Sequence, residues 1–287
     1  METSELLKKV RKIEIKTKRL TSNLFTGQYH SAFKGKGMLF SEVRKYVPGD
    51  DVRDIDWNVT AKLSEPYVKI FEEERELTMV LIVDLSSSEL LGSYSASKRE
   101  FITEICAVLA FSAMKNNDKV GVIFFTDEIE CFIPPKKGKK HILRIIRELI
   151  NFSPKSNKTN ISNACQYFNN IIKKKSIVFL VSDFLDTNYL QSLRMISKKH
   201  DLSGIRIFDP LERDMKSMGI ALFNNLEDNI KYWLDTSDVN VRNSINSEYI
   251  KSFSYCKNSF LKSGSSVLDI STDDSYVYKL LEFFKNK

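Results

Sequence analysis

Val80-Leu81-Ile82-Val83-Asp84-Leu85-Ser86-Ser87-Ser88 is the stretch on which the reading of this chain turns. Four consecutive apolar residues, three of them β-branched, read as a strand buried on both faces. The abrupt change to Asp-x-Ser-x-Ser then places one carboxylate and two alternate hydroxyls at its carboxyl end. Oxygen donors with few formal charges suit a hard divalent cation. The blander reading is a serine-rich helix cap, since Ser86 to Ser88 precede a helical pattern.

Working outward, the same alternation continues to the end of the chain. Helical periodicity over residues 96–114 precedes an apolar strand at 120–125, and a short strand at 131–133 can pair back across a turn at Asp127. Helix patterns follow at 141–152 and 161–172, then a strand at 177–181 as apolar as the first. A helix at 190–196, strands at 205–208 and 229–234, a long helix at 239–261, a strand at 267–270 and a helix at 276–284 complete the series. Apolar strands separated by amphipathic helices predict an α/β class with a doubly wound, mostly parallel sheet. Residues 76–287 are expected to form this domain. Residues 1–75 lack the alternation and read as an amino-terminal extension or small subdomain, beginning with a Lys-rich amphipathic helix over about residues 4–20.

With 287 residues the chain can bury a self-sufficient core. Its net charge of +7, from 44 Lys plus Arg against 37 Asp plus Glu, is a modest excess that favours acidic partners without specifying one. Cys106, Cys131, Cys165 and Cys256 share no zinc or redox spacing and read as reduced thiols of a cytoplasmic protein. The start of the chain lacks an apolar signal core, and no segment offers the ~20 apolar residues of a membrane helix, so membrane insertion is not expected.

In a doubly wound sheet the loops at the carboxyl ends of the strands converge on one crevice. Asp84 ends one strand there and Asp183 another, while Asn157-Lys158-Thr159-Asn160-Ile161-Ser162 opens a helix that can bring Thr159 to the same place. Asp84, Ser86, Ser88, Thr159 and Asp183 together form a candidate site for Mg2+ or Mn2+ with one coordination position left for a carboxylate of another molecule. Such a site binds a partner and transforms nothing, so no enzymatic activity is expected.

Asp84-x-Ser86-x-Ser88 with Thr159 and Asp183 resembles the metal-ion-dependent adhesion site of von Willebrand factor A-like (VWA-like) domains. The wider chain resembles the domain-of-unknown-function 58 family. The matching residues are Gly35-Lys36-Gly37 with Phe40, Arg44 through Trp57, Thr60-Ala61-Lys62, Phe208-Asp209-Pro210-Leu211-Glu212, and Asp269-Ile270-Ser271-Thr272-Asp273. The resemblance implies partnership with MoxR-type AAA+ ATPases and other VWA-like proteins in protein assembly or maturation. Glu89 departs from the family pattern by placing a carboxylate beside the cup, where an apolar residue is common.

Other constellations are weaker. Asp54, Asp56, Asn58, Thr60 and Glu65 imitate a calcium-loop series, but Val59 stands where that loop requires Gly. Pro48-Gly49 reads as a tight turn, Arg44 or Arg53 as partner to a neighbouring aspartate, and Ile55 with Trp57 as a packed strand in which Trp57 is a buried anchor of the extension. Lys136, Lys137, Lys139, Lys140 and His141, and then Lys173-Lys174-Lys175, lack interleaved aromatics and read as solvated, so nucleic acid is not an expected partner. His30, His141 and His200 belong to no nucleophile motif. The alternative function is a phosphatase-like, magnesium-dependent hydrolase using Asp84, although Ser86 stands where such enzymes place a second carboxylate.

Overall fold

Two units make up the chain, Lys34–Glu76 and a larger one from Leu77–Lys287 that also includes Ile13. The computed structural model describes residue 13 and residues 39–72, 77–86, 98–225 and 230–287. Of the helix read over residues 4–20, only Ile13 is described, helical and packed against the core. The rest of that helix, with Gly35 to Gly37, lies outside the described residues.

The small unit holds an antiparallel pair, β1 (Leu39–Lys45) and β2 (Tyr67–Glu72), with a short helix between them, α1 (Trp57–Leu63). Pro48-Gly49 forms the expected turn: Gly49 has φ 110 and the Asp50 N–H reaches the Val47 carbonyl at 3.0 Å, a geometry that needs glycine. Arg44 grips Asp50 through two hydrogen bonds of 2.8 and 2.7 Å, and Arg53 pairs with Asp51 at 2.7 Å. Trp57 corrects the reading of the sequence. It opens a helix rather than a strand and is 67% exposed, because the Asp56 carboxylate accepts from the Asn58 and Val59 N–H groups and caps a helix there.

In the larger unit the strands are β3 (Thr78–Asp84), β4 (Lys119–Phe125), β5 (Ile129–Lys136), β6 (Ile177–Ser182), β7 (Asp201–Phe208) and β10 (Ser266–Ser271). They form one sheet in the order β10-β7-β6-β3-β4-β5, parallel except for β5, which pairs back antiparallel on β4. The intervening helices are α2 (Lys98–Lys115), α3 (Lys139–Asn151), α4 (Ile161–Ile171), α5 (Leu190–Ser197), α6 (Pro210–Arg213), α7 (Val239–Ser263) and α8 (Tyr276–Lys285).

Alternation along β3 divides the core. Met79, Leu81 and Val83 pack with α2, α3 and α8, whereas Val80 and Ile82 pack with α4, α5 and Phe260 of α7. In α3 the buried residues are Ile142, Ile145, Ile146 and Leu149, and in α4 Ile161, Ala164, Cys165 and Phe168. Both follow the spacing that puts one stripe of a helix on a sheet. Gly204 in β7 lies directly beneath the Phe260 ring, and a Cβ there would overlap it.

The strand expected at 229–234 is present but in another place. β9 (Ile230–Asp235) pairs antiparallel with β8 (Ile220–Asn225) as a separate two-stranded ribbon outside the main sheet.

Candidate functional site

β4 lies on one side of β3 and β6 on the other, so the strand order reverses at the β3–β6 pair. In an open α/β sheet this reversal opens a crevice at the carboxyl ends of the strands. Asp84 is the last residue of β3, and Asp183 directly follows β6; both are buried, at 0% and 2% exposure.

Each oxygen of Asp84 has a donor. The Ser86 N–H reaches Oδ1 at 3.0 Å and the Ser182 hydroxyl reaches Oδ2 at 2.7 Å. Burial, and then repulsion from Asp183, push the Asp84 carboxyl up to about 7 against these hydrogen bonds. Asp183 Oδ2 is buried and accepts no hydrogen bond among the described residues, with the Lys98 ammonium 3.8 Å away. Two neighbouring buried carboxylates, one with an orphaned oxygen, form a site that favours a proton or a cation.

The backbone after Asp183 is held in an unusual conformation. Phe184 has φ 57, in the left-handed region that bulky residues rarely occupy. Its N–H donates to Ser182 Oγ at 3.0 Å, and its buried ring packs against Tyr189 and Phe260. Arg206, 1% exposed in β7, donates from Nε to the Asp183 carbonyl at 3.1 Å and from Nη1 to Asp269 and Tyr249 at 3.2 Å each. Strain of this sort persists only where several neighbours over-determine it, and it clusters at functional positions.

Lys98 completes the charge pattern. This fully buried residue of α2 places Nζ 2.5 Å from Glu212 and 3.8 Å from Asp183 Oδ2. Glu212 closes a capping box on α6: Asp209 accepts from the Leu211 N–H at 2.9 Å, and Glu212 Oε2 accepts from the Asp209 N–H. Burial raises the Glu212 carboxyl, with Lys98 pulling the other way.

Of the sequence-predicted ligands, Asp84, Ser86 and Asp183 gather at the β3 and β6 ends. Ser88 and the neighbouring Glu89 lie outside the described residues. Thr159 is half-buried in a loop placed by the Asn160 N–H on the Thr126 carbonyl at 3.0 Å and the Ile161 N–H on Asp186 at 2.8 Å. These anchors follow β4 and β6, at the carboxyl end of the sheet, but Thr159 makes no hydrogen bond to either carboxylate among the described residues. No group of three His, Cys, Asp or Glu able to hold a metal occurs among the described residues; the donor set here is two carboxylates with hydroxyls.

Sequence reasoning missed Ser182, Lys98, Glu212 and Arg206. Glu212 falls within Phe208-Asp209-Pro210-Leu211-Glu212, where the Asp-Pro-x-Glu spacing signals a capped helix but not an ion pair. The imitation calcium loop is excluded by geometry, since Asp56 caps α1 and Thr60 Oγ1 accepts the Tyr67 N–H. The four cysteines are free. His141 Nε2 meets the Val120 carbonyl at 2.9 Å, and no helix of the described residues is long and apolar enough to cross a membrane.

Residues 42–253 match the family described as "Protein of unknown function DUF58". The chain belongs to the DUF58 family. It is 25% identical over 224 residues to the Mycobacterium bovis protein Mb1516, covering 77% of this chain and 71% of that one. Among solved structures, an aerotolerance-related membrane protein from Bacteroides fragilis aligns with 74% of this DUF58 chain and 100% of its own, at 13% identity and a TM-score of 0.50. The SpRpn10 VWA domain aligns with 72% of this chain and 94% of its own, at 13% identity and a TM-score of 0.40. The likeness to the Bacteroides fragilis protein shows a shared α/β fold, which in the larger unit is a mostly parallel sheet covered on both faces.

Proposed function

We propose that this DUF58 chain is a non-enzymatic, metal-dependent protein-binding module of the bacterial cytoplasm, and that its partner is a MoxR-type AAA+ ATPase acting with other VWA-like proteins. The observation that carries the reading is the buried Asp84–Asp183 pair at the strand-order reversal, with serine hydroxyls around it and one carboxylate oxygen orphaned. A bound Mg2+ or Mn2+ would supply the charge that relieves the repulsion between the two carboxylates and would accept an oxygen from a partner's Asp or Glu. Asp84, Ser86 and Asp183 would hold it, joined by Ser88 and Thr159. Asp183 would then be shared between the ion and Lys98. The family resemblance supports the ATPase as partner.

Both carboxylates are buried, so a partner's carboxylate reaches them only after local rearrangement at the strand ends. Association is accordingly expected to be slower than for a preformed surface. Lys98 favours one alternative, a magnesium-dependent hydrolase with Asp84 as nucleophile, since an ammonium beside a strand-end carboxylate suits phosphoryl transfer. Against this, Lys98 is engaged by Glu212, and Ser86 occupies the position of the second carboxylate that such chemistry uses.

The test is capture of the purified ATPase by wild-type protein in magnesium, by wild type in chelator and by Asp84→Ala. Loss of one member of a desolvated charge pair costs ~2 to 5 kcal/mol, so chelation and Asp84→Ala should each weaken binding at least about thirtyfold. Undiminished capture in chelator would overturn the bridging mechanism. Magnesium-dependent phosphate-ester turnover abolished by Asp84→Ala would establish the hydrolase instead.

A further inference from the structure

At the amino-terminal end of β7, the edge of the sheet opposite Asp84, a cavity of about 420 Å³ opens beside the turn from α7 into β10. Four lysines line it: Lys175, Lys198, Lys199 and Lys287. Asp201 is the carboxylate among the lining residues, and it is engaged by Lys287 at 2.6 Å. Lys175, Lys198 and Lys199 have no carboxylate within ion-pair distance among the described residues.

Exposed lysines alone would be a solvated patch. The wall behind them differs. His200 lines the cavity at 3% exposure, and neither of its ring nitrogens has a hydrogen-bond partner among the described residues. Its ring is fixed edge-on to Phe168, with centroids 4.8 Å apart, so the imidazole is held by the core. Ser265 Oγ, also in the lining, is buried and likewise without a partner. Buried polar groups are nearly always satisfied, and three unsatisfied atoms in two residues lining one basic cavity point to a ligand whose binding, with a small shift of the wall, supplies their partners.

We propose that this cavity is a binding site for a phosphate-class oxyanion carrying more than one phosphoryl group, of the pyrophosphate type. Three uncompensated ammonium groups favour a multiply charged anion, and ammonium–phosphate hydrogen bonds are among the strong ones. The cavity is larger than one phosphoryl group needs. Its wall offers the matching short-range groups: a neutral His200 gives one N–H and one acceptor nitrogen, and the Ser265 hydroxyl can donate to an anionic oxygen. Burial lowers the His200 pKa to about 4, so the ring enters as the neutral form at pH 7, and an adjacent anion would draw it back upward. The site shares no residue with the Asp84 crevice.

Calorimetric titration of the metal-free protein with pyrophosphate, at ionic strength held constant with sodium chloride, tests the assignment. Wild type should give a saturable isotherm, and its His200 ring resonances should move during the same titration followed by NMR. Lys198→Ala/Lys199→Ala, which changes two exposed side chains and leaves the core intact, should weaken binding at least tenfold. Ser265→Ala should weaken it severalfold, and the remote Lys136→Ala/Lys137→Ala pair should bind like wild type. Absence of saturable binding would overturn the proposal. So would equal affinity of the Lys198/Lys199 variant, equal weakening by the remote pair, or stationary His200 resonances.

Discussion

Lys98 sits at 0% exposure between two carboxylates, a position that makes it the most consequential single side chain outside the proposed ligand set. Removing one partner of a buried ion pair leaves the other charge uncompensated and typically costs ~3 to 5 kcal/mol. Lys98→Met should lose about that much in urea denaturation. Adding Glu212→Gln should restore part of it, because one of the stranded carboxylates is then neutral. Strictly additive losses would show that Lys98 does not bridge the two. Asp84 makes a second claim at this scale. Its carboxyl lies above the ordinary value of 3.8, at about 7, so the folded state holds this proton more tightly than the unfolded chain. The stability this contributes to metal-free protein is complete below pH 4 and is lost as the pH rises through about 7. Asp84→Asn should flatten that decline and, at pH 8 without metal, raise the melting temperature by ~2 to 4 °C. A melting curve lowered by Asp84→Asn at pH 8 would contradict it. Asp84 and Asp183 were legible in the sequence because each ends an apolar run. Lys98 was not, since Lys98-Arg99-Glu100 at the start of a helix has the look of a solvated turn, and its partner Glu212 lies in α6, far along the chain.

At the scale of elements, β7 and α7 approach closely at one point. Gly204 has the Phe260 ring directly over it, and Phe260 also packs edge-on against Phe184, with centroids 5.3 Å apart. A methyl group at residue 204 would push this ring toward the segment that carries Asp183. Gly204→Ala should therefore cost ~1 to 3 kcal/mol, read as a lowered denaturation midpoint; an unchanged midpoint would mean that Phe260 does not bear on the strand. The helices α3 and α4 could be read from the sequence, because their stripes at i, i+3, i+4 and i+7 encode contact with one sheet face. α1 could not, since Ile55 and Trp57 imitate strand alternation, whereas Asp56 acts as a helix cap. The β8–β9 ribbon was obscured for a related reason. Pairing within a ribbon and pairing within the main sheet draw on the same apolar residues, and sequence pattern does not distinguish them.

On the scale of the whole larger unit, the topology itself assembles the site. The sheet is covered on both faces, β4 and β6 lie on opposite sides of β3, and the ends of β3 and β6 meet where the strand order reverses. This was legible from the alternation of buried strands and amphipathic helices, because a parallel sheet covered on both sides follows directly from it. What the pattern does not encode is the support around the crevice: the Arg206 anchor on the Asp183 carbonyl, the Lys98–Glu212 pair and the Phe260 ring against the left-handed Phe184 all join residues distant in sequence. The central claim is that this crevice takes a divalent cation on Asp84 and Asp183. Calorimetric titration of Mn2+ into wild type and into Asp84→Ala/Asp183→Ala at pH 8 tests it most directly. One saturable site is expected in wild type and none in the double variant; identical uptake by both proteins would contradict cation binding at Asp84 and Asp183.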